Sequence, residues 1–292
     1  MKSHQQLAAA IVALSAIVHA TPIPQDAGPA LPIAPAVPND TAAKSSSGGS
    51  TSSTGTPKQY DCTFFKSGGH PSSFPDPSKW LSADEIWNLW ESRIRDGNAA
   101  EFDDIESGLK LIKSALADYP KSLGVSELEG IPSSVFVAKA AQESTFRVNP
   151  GCTNAGTTNC GILQGPQGSA KWDRSKPDSL REVVKDAIMG KNSSGGGYMD
   201  GFQAALQKAK TLGGDSVGAL VGIATRLYNS GLNELDGKNP INLNEVSGGS
   251  TPSYVSDMAN ILMGWVNSPE YGSFEECGGV APPAAKVVAG RR

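Results

Sequence analysis

The chain has 292 residues, of which 18% are charged and 38% apolar, with 33 Gly and 20 Pro diluting both classes. A formal net charge of −4 argues against a general nucleic-acid binder, which needs a basic surface to displace counterions. The only histidines are His4, His19 and His70, which nearly excludes a multi-His zinc site and leaves a Ser-His-Asp triad dependent on His70.

Residues 1–20 read as a signal peptide. Lys2 supplies the positive start, Leu7 to Val18 the apolar stretch, and Val18 and Ala20 the −3 and −1 positions of a cut before Thr21. The run is short for a membrane span, and no later stretch reaches about 18 apolar residues. A secreted, extracellular protein without an integral membrane segment is expected. Residues 21–58 are rich in Pro, Ser, Thr and Gly, and include SSSGGSTSSTGT. Such a segment cannot bury enough apolar surface to offset its ordering entropy, so it reads as a disordered linker. Asn39 and Asn192 begin N-glycosylation sequons. Residues 281–292 read as a flexible tail, which leaves one domain over 59–280, expected to be monomeric.

Cys62, Cys152, Cys160 and Cys277 form an even set, which in an oxidising compartment favours disulfides. Three pairings are possible. The favoured one joins Cys152 to Cys160 as a short loop clamp and Cys62 to Cys277 as a tie between the ends of the domain.

The helical signals follow in chain order. Ser82-Ala-Asp-Glu85 is a capping box, and Ile86, Trp90 and Ile94 continue at four-residue spacing. The tryptophans of this helix read as core. A second helix is predicted from Glu101 to Asp118, with Phe102, Ile105, Leu109, Ile112 and Leu116 on one face and Pro120 as its stop. Pro132 is a first-turn proline before a helix from Ser133 to Thr145. Later helices are predicted over Asp178–Met189, Tyr198–Leu212, Val217–Asn229 and Pro252–Val266. Convincing alternating strands are absent. The fold class is mainly α: a single globular domain with disulfides, preceded by the linker.

Glu143 ends the Ala-rich helix that contains Val135, Phe136, Val137, Ala140 and Ala141. A carboxylate there lies either on a solvated stripe or in a cleft. In an apolar cleft, desolvation raises its pKa and keeps the proton that general-acid catalysis requires. The stretch from Asn149 to Gln164 is polar and Gly-rich, and carries Cys152 and Cys160. A rigid polar loop beside a helix-end carboxylate suits a sugar cleft. Tyr228 and Asn229 end another hydrophobic helix. They read either as site residues or as a helix terminus running into Gly231.

These segments together resemble the lytic transglycosylase and goose-type lysozyme family, over roughly residues 125–267. The resemblance rests on four motifs in order: Glu143-Ser144 with Phe146 and Asn149-Pro150; Gly161-Ile162-Leu163-Gln164; Tyr228-Asn229-Ser230-Gly231; and Thr251-Pro-Ser-Tyr254-Val255. It implies a lysozyme-like domain that cleaves β-1,4 bonds of N-acetylated glycans. By that resemblance, Glu143 is the general acid. Gln164 and the Gly161–Leu163 backbone line the N-acetyl sugar site. Tyr228 hydrogen-bonds the catalytic carboxyl, and Asn229 supports the sugar or the loop. The loop between Glu143 and Gln164 is longer than usual in the family, and Thr153-Asn154 stand where many members carry a serine.

An inverting hydrolase needs a second carboxylate to activate water; a lytic transglycosylase uses one Glu as acid and then base. Asp173, Asp186 and Asp200 are the candidates, each also readable as a helix-start or surface acid. Peptidoglycan is the favoured substrate, chitin or its oligomers the alternative, and a non-catalytic glycan-binding effector the reading from another class. No metal or organic cofactor site is apparent.

Overall fold

The computed structural model describes residues 55–154, 158–192, 198–245 and 250–279. The stretches expected to be a leader and a tail, and nearly all of the expected linker with Asn39, lie outside the described residues, and of Asn192 only the backbone is described.

The described residues are mainly helical. In chain order the helices are α1 (Thr63–Lys66), α2 (Ala83–Asn98), α3 (Ile105–Ala117), α4 (Tyr119–Ser122), α5 (Ser134–Ser144), α6 (Ser179–Met189), α7 (Phe202–Thr211), α8 (Val217–Ser230) and α9 (Tyr254–Met263). The capping box opens α2 as expected: Ser82 Oγ accepts from the Glu85 N–H (3.2 Å) and Glu85 Oε2 from the Ser82 N–H (2.7 Å). Ile86, Trp87, Trp90 and Ile94 of α2 are buried. Each buried isoleucine contributes roughly 1.5–3 kcal/mol, so this face alone anchors the helix.

Two helix starts come four residues later than expected, and the other starts shift by two residues or fewer. The stretch predicted from Glu101 begins at Ile105, because Asp104 caps it by accepting from the Glu106 N–H at 3.1 Å. Phe102 lies before the helix and folds its ring over Gly108. The helix ends at Ala117, and Pro120 sits in the first turn of α4. The helix predicted from Tyr198 begins at Phe202, because Tyr198–Met199 (β4) pairs antiparallel with Lys191–Asn192 (β3). A second hairpin joins Cys152–Asn154 (β1) to Thr158–Cys160 (β2), with Cys152 opposite Cys160. Strands of two or three residues are too short to show an alternating pattern.

Both disulfides have the favoured pairing, Cys62–Cys277 and Cys152–Cys160. The first is reinforced around α9. Asp61 exchanges hydrogen bonds with the Asn260 amide (2.6 and 3.1 Å), Tyr60 donates to Asp257 (2.8 Å), and the Lys58 N–H reaches the Gly264 carbonyl (3.0 Å).

α5 lies in the middle of the domain. It packs against α2, α3 and α9, while α8 packs against α7 and α9. Every residue of α5 from Ser134 to Ala141 is buried. Its C-terminal end, with Glu143, meets the ends of α8 and the start of α9.

Candidate functional site

The carboxylate-bearing end of α5 is fixed by an uncommon backbone. Thr145 and Phe146 both take left-handed conformations (φ 52° and 60°), which cost a non-glycine residue about 1–2 kcal/mol each. The Phe146 N–H returns to the Ala140 carbonyl (3.0 Å) and closes the helix. Asn98, buried at the end of α2, donates to the Phe146 carbonyl (3.0 Å) and accepts from the Val148 N–H (2.9 Å). The Phe146 ring lies against Trp87 and Trp90. The strained turn is thus over-determined by packing and hydrogen bonds, and the helix end cannot drift.

Glu143 is not on a solvated stripe: its side chain is 8% exposed. Tyr254 of α9 donates a hydrogen bond to Oε1. The Lys139 ammonium, one turn earlier on α5, lies 3.5 Å from the same oxygen and 3.1 Å from the Tyr254 hydroxyl. Both contacts fall on Oε1. Burial pushes the Glu143 carboxyl above the usual carboxylate range, against the pull of Lys139 and the Tyr254 hydrogen bond. Burial also lowers the Lys139 ammonium to about 8, although Glu143 acts to raise it.

The Gly161–Gln164 turn reaches α5 and α8 through its carbonyls. Ile162 O accepts from Ser144 Oγ (2.8 Å) and Leu163 O from the Tyr228 hydroxyl (2.8 Å). Gly161 O accepts from the Gln164 N–H (2.8 Å) and side-chain amide (3.0 Å). Gly161 has φ +80°, and a Cβ there would meet Val183 Cγ1 at 2.4 Å, so only glycine fits. The Ile162 and Leu163 side chains are buried in the core. The turn is thus bonded to Ser144, the chain neighbour of Glu143, and to Tyr228, and its carbonyls hold the scaffold together.

One expected contact is different. The Tyr228 hydroxyl bonds Leu163 O rather than the Glu143 carboxyl, and the Tyr228 ring faces Lys139 Nζ at 3.4 Å from its centroid. The carboxyl is served instead by Tyr254, because α9 starts opposite the end of α5. Asn229 accepts from Arg226 Nη1 (3.1 Å), three residues earlier on the same helix. Gly231 completes the end of α8 by donating its N–H to the Leu227 carbonyl (2.8 Å), so the helix-terminus reading also holds.

Lys139, Tyr254 and Arg226 are the residues that the sequence reading did not assign to the site. Arg226 is fully buried. Its guanidinium donates to the carbonyls of Leu243 (2.8 Å), Thr251 (3.1 Å) and Pro252 (3.3 Å). A detectable signal existed for Lys139: a lone lysine in an otherwise apolar run, four residues before an equally isolated glutamate.

Of the candidate second carboxylates, Asp173 binds the Ser175 N–H (2.9 Å) and hydroxyl (2.7 Å) as a turn residue. Asp186 is buried against Lys191 (2.9 Å) and the Ala170 N–H (2.8 Å). Asp200 is exposed, with its carboxyl raised by partial burial. None is joined to Glu143 by a hydrogen bond among the described residues. No cluster of three or more His, Cys, Asp or Glu placed to hold a metal ion occurs among the described residues. There, too, no helix is long and apolar enough to cross a membrane. Comparison with protein-family models, curated proteins and solved structures finds no match to the chain.

Proposed function

We propose that the protein is a secreted glycosidase that cleaves β-1,4 bonds of N-acetylated glycans, with peptidoglycan as the preferred substrate and Glu143 as general acid. The observation that carries this reading is the Glu143 carboxyl itself. It is 8% exposed at the end of a rigid helix, raised by burial and hydrogen-bonded by Tyr254. A carboxyl whose pKa is raised holds its proton to higher pH and can give it to a leaving glycosidic oxygen. The order of the Glu-Ser, Gly-Ile-Leu-Gln and Tyr-Asn-Ser-Gly segments supports a lysozyme-like or lytic-transglycosylase-like site, and the two disulfides suit an extracellular setting.

The test is to incubate the wild type and Glu143→Gln with purified peptidoglycan and with chitin hexamer, and to identify products by mass spectrometry. Wild-type cleavage lost in the variant is expected. A 1,6-anhydro end assigns transglycosylation, and a new reducing end assigns hydrolysis. Equal cleavage by the variant would sink the role of Glu143. Binding of either glycan without cleavage would favour a non-catalytic effector.

A further inference from the structure

General-acid chemistry at Glu143 needs one carboxyl group and does not by itself call for a lysine, yet Lys139 lies beside it with a side chain only 1% exposed. Its Nζ sits among the rings of Tyr228 (3.4 Å to the centroid), Phe202 (5.0 Å) and Tyr254 (5.6 Å). Burying an ammonium costs several kcal/mol, and an apolar side chain of similar volume avoids that cost. The Tyr254 hydroxyl lies between the two groups: it receives a hydrogen bond from Lys139 (3.1 Å) and donates one to Glu143 Oε1. Nitrogen, hydroxyl and carboxyl therefore form an unbroken donor-to-acceptor chain.

We propose that Lys139 is the proton reservoir of the site and that Tyr254 relays its proton to Glu143. This rests on the reading of Glu143 as general acid. In the loading step an N–H bond of the ammonium breaks as its proton bonds to the Tyr254 oxygen, and the proton already on that oxygen passes to Oε1. Lys139 becomes a neutral amine, Tyr254 is unchanged and Glu143 becomes a neutral acid, so the net charge of the pocket is constant. When the glycosidic bond breaks, the Glu143 proton goes to the departing oxygen, which keeps the bonding electron pair. The resulting carboxylate then takes the proton of the attacking hydroxyl or water as its oxygen bonds to the anomeric carbon.

The consequence is that one proton stays shared within the pair, and available to Glu143, up to the pH at which the lysine gives it up. The surroundings permit this. Lys139 and Glu143 act on each other, and Tyr254 of α9 acts on Glu143. From α8, Tyr228 feels Glu143, and Arg226 feels Tyr254 and Asp257. Phe202 of α7 carries no charge. No charged group from α2 or α3 acts on the pair among the described residues.

The test measures kcat and kcat/KM on the cleaved glycan across pH for the wild type, Lys139→Met, Lys139→Arg and Tyr254→Phe. It also follows the Glu143 side-chain carboxyl by 13C NMR in the full-length, unliganded protein, assigned with Glu143→Gln. Lys139→Met is expected to move the alkaline limb of kcat/KM down by about one pH unit or more. Lys139→Arg keeps the cation but cannot release its proton, so kcat falls at least about tenfold with KM unchanged. Tyr254→Phe keeps the limb in place and lowers kcat. In the NMR titration the wild-type carboxyl responds to a second step that Lys139→Met abolishes. An unmoved alkaline limb in Lys139→Met, or wild-type kcat in Lys139→Arg, overturns the reservoir. If Lys139→Met fails to fold, Lys139→Arg decides. If no glycan is cleaved but the two-step titration is present, the glycosidase reading fails while the shared proton stands; a single step that ignores residue 139 refutes the shared proton itself.

Discussion

Tyr254 is delivered to Glu143 by Arg226. The guanidinium donates to the carbonyls of Thr251 and Pro252 (3.1 and 3.3 Å), the residues that lead into α9, and Tyr254 is the first residue of that helix. A fully buried arginine bonded to carbonyl oxygens is costly to place, so its effect should be felt both in stability and in the site.

Arg226→Met should destabilise the protein by about 3 kcal/mol or more, because the Leu243, Thr251 and Pro252 carbonyls lose their donor in a buried setting. Urea denaturation reads this directly. Arg226→Lys restores one donor and should recover part of the loss. If Arg226→Met unfolds at the same urea concentration as the wild type, the clamp is not structural.

Asn98→Ala should cost about 2–3 kcal/mol, since it orphans the Phe146 carbonyl and the Val148 N–H together. It should also lower the activity proposed for Glu143, because the left-handed turn behind the carboxyl is no longer pinned. Intact activity at unchanged protein stability would contradict the role given to this turn.

Asp257 yields a pH-dependent expectation. Its carboxyl is raised to about 6 by burial, against the hydrogen bonds of Ser253, Tyr60 and Gln142, with Glu275 adding to the rise. The folded state therefore binds this proton more tightly than the unfolded chain, whose carboxyl has the ordinary value of 3.8. Stability from this residue is absent above 6, grows as pH falls through 6 and levels off below 3.8, with a gain of at most about 3 kcal/mol. Asp257→Asn mimics the protonated form. Its Tm should exceed that of the wild type at pH 7 and approach it near pH 4; a constant Tm difference at both pH values would refute the assignment.

The two disulfides should differ in worth. By the chain-entropy model, Cys152–Cys160, with a sequence separation of 8, contributes about 2.5 kcal/mol, and Cys62–Cys277, with a separation of 215, about 5 kcal/mol. Replacing each pair by serine and comparing thermal unfolding tests the ranking. A larger loss from the 152–160 pair would mean that this bond acts mainly through the site-bearing loop.

Helices were the readable layer of this sequence. Ser82-Ala-Asp-Glu85 names its own cap, and the spacing of Ile86, Trp90 and Ile94 places one face of α2 in the core, because both signals are local. The pairs β1–β2 and β3–β4 were not readable, since two or three residues cannot display a period. The carboxylate Glu143 stood out from its apolar background. Lys139 is equally isolated in the same run, but its burial was not readable, because a lysine is ordinarily a surface residue and this one is enclosed by Tyr228, Phe202 and Tyr254 arriving from three other helices. The exchange of Tyr228 for Tyr254 at the carboxyl has the same origin. Each tyrosine sits at one end of a helix, and only the tertiary arrangement of α8 and α9 decides which hydroxyl reaches Glu143.

The Cys62–Cys277 bond joins residues whose Cα atoms are 5.4 Å apart, and helices α2 to α9 all lie inside the covalent ring that it closes. Tension applied to the chain on either side of this ring passes from Cys62 to Cys277 through sulfur and does not enter the intervening polypeptide. A protein tethered by its outer segments could thus be pulled without stretching α5, and in a force-extension experiment the domain should lengthen only after reduction of that single bond.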